Sequence, residues 1–488
     1  MVTSGHLPKG LALLRAKVAS SILRVLRIEG SSMIKITKFG GSSVSSAGQF
    51  KKVKAIVQAD PSRRFVVVSA AGKRDKFDSK ITDLLYLVNA HLQYHVTCDD
   101  LLGTIGQRFC EIAKELNLSY PISHEFGIFR ELAKRGEYTP EYIVSRGEYF
   151  TGRMMAEYLG FPFVDAADVI TFRADSSIDM DKTSEKLKAA IGEEKCFVLP
   201  GFYGATEDGK IKLLDRGGGD ITGAIVAQCL SADLYENWTD VSGFLTADPR
   251  IVDNPKSISR ITYAELRELS YMGASVLHEE AIFPVKDAGI PLVIKNTNAP
   301  DDPGTVISEE TEPGVAEPLI TGIAGKKDFV AIHVKTNHMS SKVGYIRKTL
   351  SIFERYRVSI EHIPTGIDSF AVVVQGSDVK DCLYSIVADI KSELEPDEIK
   401  IVDRLALIST VGRNMPSRPG TSGRLFGELG HAGINIRMIA QGSEELDIVV
   451  GVDVDDFERA IRVIYGAFVD SDDNIITVEE AEEEATNE

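Results

Sequence analysis

The sequence predicts an α/β sandwich with a largely parallel sheet, followed by two smaller α+β modules. Three observations carry this. From Met33 onward, short runs of β-branched and apolar residues alternate with helical stretches. A break over residues 298–318 holds four prolines and six acids. Beyond the break, one order of elements occurs twice.

In the first part, residues 34–38 form a short apolar strand that leads into Gly40-Gly41-Ser42-Ser43, and 49–58 read as a helix. Residues 64–69 (RFVVVS) are a continuous apolar run, the mark of a strand covered on both faces. Residues 84–131 are mostly helical, an all-α insertion, and 142–144 look strand-like. Residues 197–200, 234–238 and 292–294 supply further strands. The break at 298–318 is the expected connection between domains, with only Val306-Ile307 strand-like.

After the break, 329–335 is a strand, 344–355 an amphipathic helix, 358–363 and 370–375 strands, and 379–394 a helix. The second copy runs 405–411, 422–432, 434–440, 446–452 and 457–468. The order β-α-β-β-α, repeated at a period of about 75 residues, is the ferredoxin-like split arrangement. Residues 474–478 are a candidate final strand, and 479–488 an acidic, solvated tail.

At 488 residues the chain exceeds one ordinary domain, and 43% hydrophobic against 26% charged residues suits a globular protein with a sizeable core. No apolar run reaches the roughly 18 residues that a membrane span needs. A formal charge of −17 argues against nucleic acid as a partner. Cys98, Cys110, Cys196, Cys229 and Cys382 lack CxxC spacing, which excludes a zinc or disulfide framework and fits a reducing compartment. Residues 1–30 carry five cations against Glu29 alone. They read as a disordered or non-native extension with Met33 opening the real domain, or as a transit peptide. The expected location is cytoplasmic, or the plastid on the second reading.

Four stretches can carry chemistry. Lys38-Phe39-Gly40-Gly41-Ser42-Ser43 offers a cation and unhindered N–H groups to a phosphate, although Gly-Gly after a strand is more often just a tight turn. It is not a P-loop, because the lysine stands outside a GxxxxGK[ST] frame. Arg216-Gly217-Gly218-Gly219-Asp220 runs into a helix over 221–232, an anion site at a helix N-terminus in which Asp220 also works as a plain N-cap. In Ser145-Arg146-Gly147-Glu148, the glutamate is either a receiver for a substrate ammonium group or an ordinary charge in a helix's first turn. Asn237–Val241 and Thr246–Arg250 flank a loop after a strand, where open α/β sheets bind ligands.

Together, KFGGSSV, SRGE, RGGGD, NWTDVSGFLTADPR and VLHEEAIFPV, in this order and spacing, resemble the aspartate kinases of the amino-acid kinase family. ALISTVG, MPSRPG and GINIRMIAQGS resemble their second ACT-type regulatory module, so the likeness covers 33–468. It implies a three-layer sandwich and transfer of the γ-phosphoryl group of ATP to L-aspartate, the first step towards lysine, threonine and methionine. A carboxylate nucleophile is ionised at neutral pH and needs no histidine base. By this resemblance Lys38, Asp220 and Arg216 are catalytic, with Arg216 also gripping the aspartate α-carboxylate. Ser69, Thr82 and Glu148 line the aspartate pocket, and Glu148 reads the ammonium group. Gly40, Gly41, Ser42, Thr239, Asp240 and Arg250 join Lys38 at the nucleotide, and Mg²⁺ arrives with ATP, with no residue assigned to a metal.

The resemblance further implies homo-oligomers formed through the ACT-type modules and an amino-acid effector held at Met339, Ser341, Gly344, Tyr345, Ile346, Ser359, Ile360 and Glu361. Glu361 makes L-lysine the first choice and threonine the second. The expected domains are 1–32 (extension), 33–308 (catalytic), 319–400 and 401–478 (modules) and 479–488 (tail). Three features depart from the family: Gly219 where a serine is usual, Ser275 where a lysine is common, and a longer, charged loop over 70–79. The alternative is a catalytically weak amino-acid sensor that uses the modules alone.

Overall fold

The computed structural model describes residues 33–192, 195–215, 217–274, 283–310, 317–416, 418–470 and 475–476. The expectations for 1–32, Arg216, Ser275 and 479–488 lie outside the described residues. In chain order the first ten strands are β1 (Lys35–Phe39), β2 (Phe65–Val68), β3 (Thr171–Phe172), β4 (Phe197–Pro200) and β5 (Tyr203–Thr206), then β6 (Ile211–Leu213), β7 (Leu234–Thr239), β8 (Arg260–Thr262), β9 (Leu292–Asn296) and β10 (Thr305–Ser308). They are followed by β11 (Glu317–Pro318), β12 (Gly322–Lys335), β13 (Ser369–Gln375), β14 (Glu398–Val411), β15 (Met438–Gln441), β16 (Asp447–Asp453) and β17 (Ile475–Ile476).

The chain divides into two compact units. One runs to Asp240 and takes in Glu280–Asp301; the other comprises Val241–Glu279 and the chain from Asp302. The units therefore cut across the expected 33–308 domain, because Val241–Glu279 clusters with the C-terminal part.

In the first unit β4-β2-β1-β7-β9 lie side by side and all parallel. Phe39 is level with Val68 and Trp238, and Val68 with Pro200, so the strands end together. Covered on both faces, β2 is buried at every position, as its unbroken apolar run predicts. The all-α insertion is present as helices Ile81–Gln93, Asp99–Glu115, Ile122–Lys134 and Pro140–Leu159. Phe109, Phe126, Phe129 and Phe150 knit them, with ring centroids 5.5–6.0 Å apart. Truncating one such ring to alanine costs about 3–5 kcal/mol.

The strand-like 142–144 is helix instead. The Thr139 side chain caps the Tyr142 N–H, and Pro140 sits in the first turn with its φ already helical.

In the second unit, β8 and β10 form a parallel pair, so the strand-like Val306-Ile307 is a strand. A five-stranded antiparallel sheet runs β13-β12-β14-β16-β15. β12 and β14 pair from Gly322–Val411 to Lys335–Glu398, with a register shift between Lys326 and Phe329. Each strand thereby serves two cores. Ile332, Val334, Phe353, Ile386 and Ile399 belong to one; Ile320, Ile323, Ile408, Leu425 and Ile461 belong to the other. The expected border at 400/401 runs through β14.

The expected strand at 358–363 is reduced to single bridges, His362 to Val373 and Thr365 to Phe370, after Arg357 turns the chain at φ 57°. The strand expected at 434–440 begins only at Met438. Two residues of the candidate final strand pair as expected of a strand, Ile475 with Pro318.

Candidate active site and regulatory site

Parallel strands that end together leave a row of backbone at their C-terminal edge, and the first unit's chemistry collects there. Lys38, one residue before the end of β1, is buried and level with Asn237 on β7. Its ammonium group pairs with Asp220 Oδ1, and Asn237 Nδ2 donates to the same oxygen at 2.9 Å. Asp220 is not the N-cap. Gly217, at φ 86°, takes that place, and Asp220 stands in the first turn of helix Gly218–Cys229, where a carboxylate favours the helix dipole.

The loops above this pair meet without side chains between them. Gly72 N donates to Gly41 O at 2.8 Å, and a Cβ on Gly72 would lie 2.6 Å from the Gly41 carbonyl carbon. A Cβ on Gly219 would lie 2.7 Å from Ser69 Oγ. Gly219, one of the departures from the family pattern, is thus matched by a hydroxyl that fills the space a side chain there would need. Ser42 lies in the 3-10 turn Gly41–Val44, whose Ser43 hydroxyl bonds Thr297 Oγ1 at 2.7 Å.

Glu148 lies deep in helix Pro140–Leu159, not in its first turn, and is 4% exposed. One carboxylate oxygen, Oε2, is buried without a partner among the described residues. Burial pushes its carboxyl up to about 8, against smaller opposing effects of the Ala70 and Glu148 backbones and Arg146. A Cβ on neighbouring Gly147 would touch Ala70 Cβ and Ile81 Cγ2, so this turn of the helix packs against the end of β2 and the start of helix Ile81–Gln93. Thr82 stands half-buried at that start. Lys38, Asp220, Gly219 and Ser69 thus converge, and Glu148 packs beside the residues that follow Ser69.

The nucleotide residues divide between the units. Thr239 ends β7 and its hydroxyl donates to Asp240 at 3.1 Å. Arg250 belongs to the second unit, where it is paired at 2.6 Å with its own neighbour Asp248.

Sequence reasoning named Asn237 and Arg146 inside its candidate stretches without giving either a role, and missed Arg108. Arg108 is 3% exposed and donates to the carbonyls of Ser79 and Gly72, which ties down both ends of the charged loop. Arg146 is buried with its guanidinium 4.1 and 4.3 Å from the rings of Tyr142 and Tyr149.

Among the described residues no group of three or more His, Cys, Asp and Glu is placed to hold a metal ion. No helix is long and apolar enough to cross a membrane.

In the second unit, Met339, Tyr345, Ile346 and Ile360 share one apolar core. Met339 and Tyr345 are core residues, and the Tyr345 hydroxyl donates to Leu394 O at 3.3 Å. Gly344, at φ 77°, caps helix Tyr345–Arg355. The Ser341 hydroxyl donates to His338 O at 2.8 Å, and Ser359 is exposed. Glu361 is held by its backbone N–H on Val373 O at 2.9 Å, and its carboxylate accepts from the Tyr271 hydroxyl at 2.6 Å.

Residues 33–296 match the model of the amino acid kinase family, and 408–468 match an ACT domain. The chain is 35% identical to aspartokinase 3 of Bacillus subtilis, over 89% of this chain and 98% of that protein. The crystal structure of Clostridium acetobutylicum aspartate kinase, described as an allosteric enzyme, matches at 47% identity and a TM-score of 0.84, covering 90% of this chain and all of that one. E. coli aspartokinase III in complex with lysine and aspartate matches at 25% identity and a TM-score of 0.70, over 90% of this chain and all of that one.

Proposed function

Given that the chain belongs to the amino acid kinase family, as an enzyme of the aspartate kinase kind, we propose that it converts ATP and L-aspartate to ADP and 4-phospho-L-aspartate. The observation that carries this is the linked Lys38–Asp220–Asn237 set at the strand ends, with Lys38 and Asn237 buried. Transfer between two anions is a problem of position and charge. Lys38 supplies a positive charge for the transferring phosphoryl group, and Asp220, itself braced by Asn237, fixes where that charge stands. The Gly40 N–H is spent on Trp238 O at 2.9 Å, so in this reading the N–H groups of Gly41 and Ser42 serve the phosphates, and Glu148 accepts the aspartate ammonium. The divalent cation that accompanies ATP, Mg²⁺ in this reading, would neutralise charge on the phosphates, and Asp220, paired with Lys38 and Asn237, is the carboxylate that would meet it.

The regulatory reading is feedback inhibition by L-lysine, with threonine second, at the first module of a homo-oligomer. Helix Tyr345–Arg355 presents its N-terminus, behind Gly344, to an α-carboxylate, and Glu361 meets an amine. The assay is ADP release with Mg·ATP and each candidate amino acid, with hydroxylamine to trap the acyl phosphate. Turnover confined to L-aspartate is expected. Equal turnover with glutamate, or none with aspartate, would falsify the catalytic reading. Lysine inhibition that survives Glu361→Ala undiminished would remove the effector site.

A further inference from the structure

Glu361 is engaged by a residue from outside the module that carries it. Tyr271, the last residue of helix Tyr263–Tyr271, donates its hydroxyl to Glu361 Oε2 at 2.6 Å. The same helix is fixed at its other end to the second module. Glu265, in its first turn and fully buried, accepts from Thr262 N–H at 2.8 Å, from Arg413 Nη1 at 2.6 Å and from the Thr321 hydroxyl at 2.5 Å. The helix therefore has a permanent foot and a conditional one. The Glu265 end of the Glu265–Arg413 pair is fully buried, so breaking the pair strands a buried carboxylate and is costly. The Tyr271 contact lies at half-exposed residues, where a soluble amine can reach it.

The geometry points to Tyr271 as the coupling residue of the effector site: an amino-acid ammonium group that pairs with Glu361 displaces the Tyr271 hydroxyl and frees the C-terminal end of helix Tyr263–Tyr271. This rests on the reading of Glu361 as the receiver of an effector amine. Tyr271 holds Glu361 Oε2, so an ammonium group that takes that oxygen competes with the phenol for it, and an ammonium ion is the stronger donor. Burial and the neighbouring Glu361 hold the Tyr271 phenol up at about 12, so it remains a neutral donor at every physiological pH. Lys326, with its ammonium group 5.1 Å from the Tyr271 ring, keeps the ring over β12. Helix Tyr263–Tyr271 precedes, in sequence, the return of the chain to the first unit at Glu280.

Competition makes the two events reciprocal. Tyr271→Phe removes the competitor while sparing the ring, so lysine should bind more tightly. The bound lysine, however, should no longer release anything. The experiment measures lysine binding by calorimetry, and inhibition at saturating lysine relative to each protein's own uninhibited rate, in the wild type and in Tyr271→Phe. The expected result is a dissociation constant roughly 5–10-fold lower in the variant, together with at least half of the maximal inhibition lost. Unchanged binding with unchanged inhibition overturns the coupling role. Weaker binding in the variant also overturns it, because Tyr271 would then be a direct ligand. A wild type that binds no lysine overturns the effector reading itself, before the variant is compared.

Discussion

Glu148 carries a burial cost that an ammonium group can offset. Its carboxyl is pushed up to about 8 from 4.5, so at neutral pH the substrate-free protein holds it protonated. An acid raised in the native state adds stability that is full below about 4.5 and is lost as pH rises through about 8, on the order of a few kcal/mol. Binding an ammonium substrate should then release a proton. KM for aspartate is expected to fall by about tenfold per pH unit between pH 6 and 8 and to level off above. In Glu148→Gln both slopes should vanish; a KM that is flat across this range in the wild type would show that the neutral acid binds substrate. Lys38 makes a different demand. Lys38→Ala should lower kcat by on the order of 10²–10³ with little change in the apparent affinity for aspartate. Gly219→Ala should cost about 10–100-fold in kcat/KM, because its methyl group must push the Ser69 hydroxyl off position; wild-type rates in that variant would show slack around Ser69. The motifs, through their resemblance to the aspartate kinases, put Lys38, Asp220 and Glu148 forward as site residues, where residue type and spacing alone left each of them open. The role of Asn237 stayed hidden, since it depends on standing level with Lys38 across two strands 199 residues apart in sequence.

Helix Pro140–Leu159 shows where local reading fails. Twelve of its residues are buried, Ser145, Arg146 and Glu148 among them, so the single apolar stripe that identifies a surface helix is absent. Tyr142-Ile143-Val144 then reads as a strand by composition, although Thr139-Pro140 carried the start signal. The strand expected at 358–363 fails in the opposite direction: its apolar residues pack on the core, but its backbone meets β13 at isolated bridges only. Helix Tyr263–Tyr271 has a local signature, the Thr262–Glu265 capping box, but its importance is tertiary. Glu265→Ala should destabilise the second unit by about 3–5 kcal/mol, because Arg413 is left without its buried carboxylate. Glu265→Gln should cost less, since the amide oxygen keeps part of the network. Chemical denaturation monitored by circular dichroism checks both, and a loss under 1 kcal/mol for the alanine variant would mean that Arg413 finds water.

The repeated β-α-β-β-α order was legible because it is a property of sequence spacing, whereas the exchange between its copies was not. β12 and β14 run past the point where each copy ought to stop, so Ile323 of β12 and Ile408 of β14 build one core, while Ile332 of β12 and Ile399 of β14 build the other. The first unit has its own core, centred on Phe109 and Phe150, with no residue of the C-terminal sheet in it. Separate cores make separate cooperative blocks. Urea unfolding of the full chain should therefore show two transitions. Under the proposed function, aspartate and all the nucleotide residues but Arg250 belong to the first unit and lysine to the second, and a ligand at 100 times its dissociation constant adds about 2.7 kcal/mol to whatever it binds. Substrates should move one midpoint, lysine the other. Fluorescence of Trp238, which stands in β7 of the first unit and is the chain's single tryptophan, reports that unit alone. Lysine should therefore leave the tryptophan transition in place while shifting the transition seen by circular dichroism over the remaining signal. A single transition that moves equally with either ligand would show that the two blocks unfold as one, and feedback would then have to act through the stability of the whole chain.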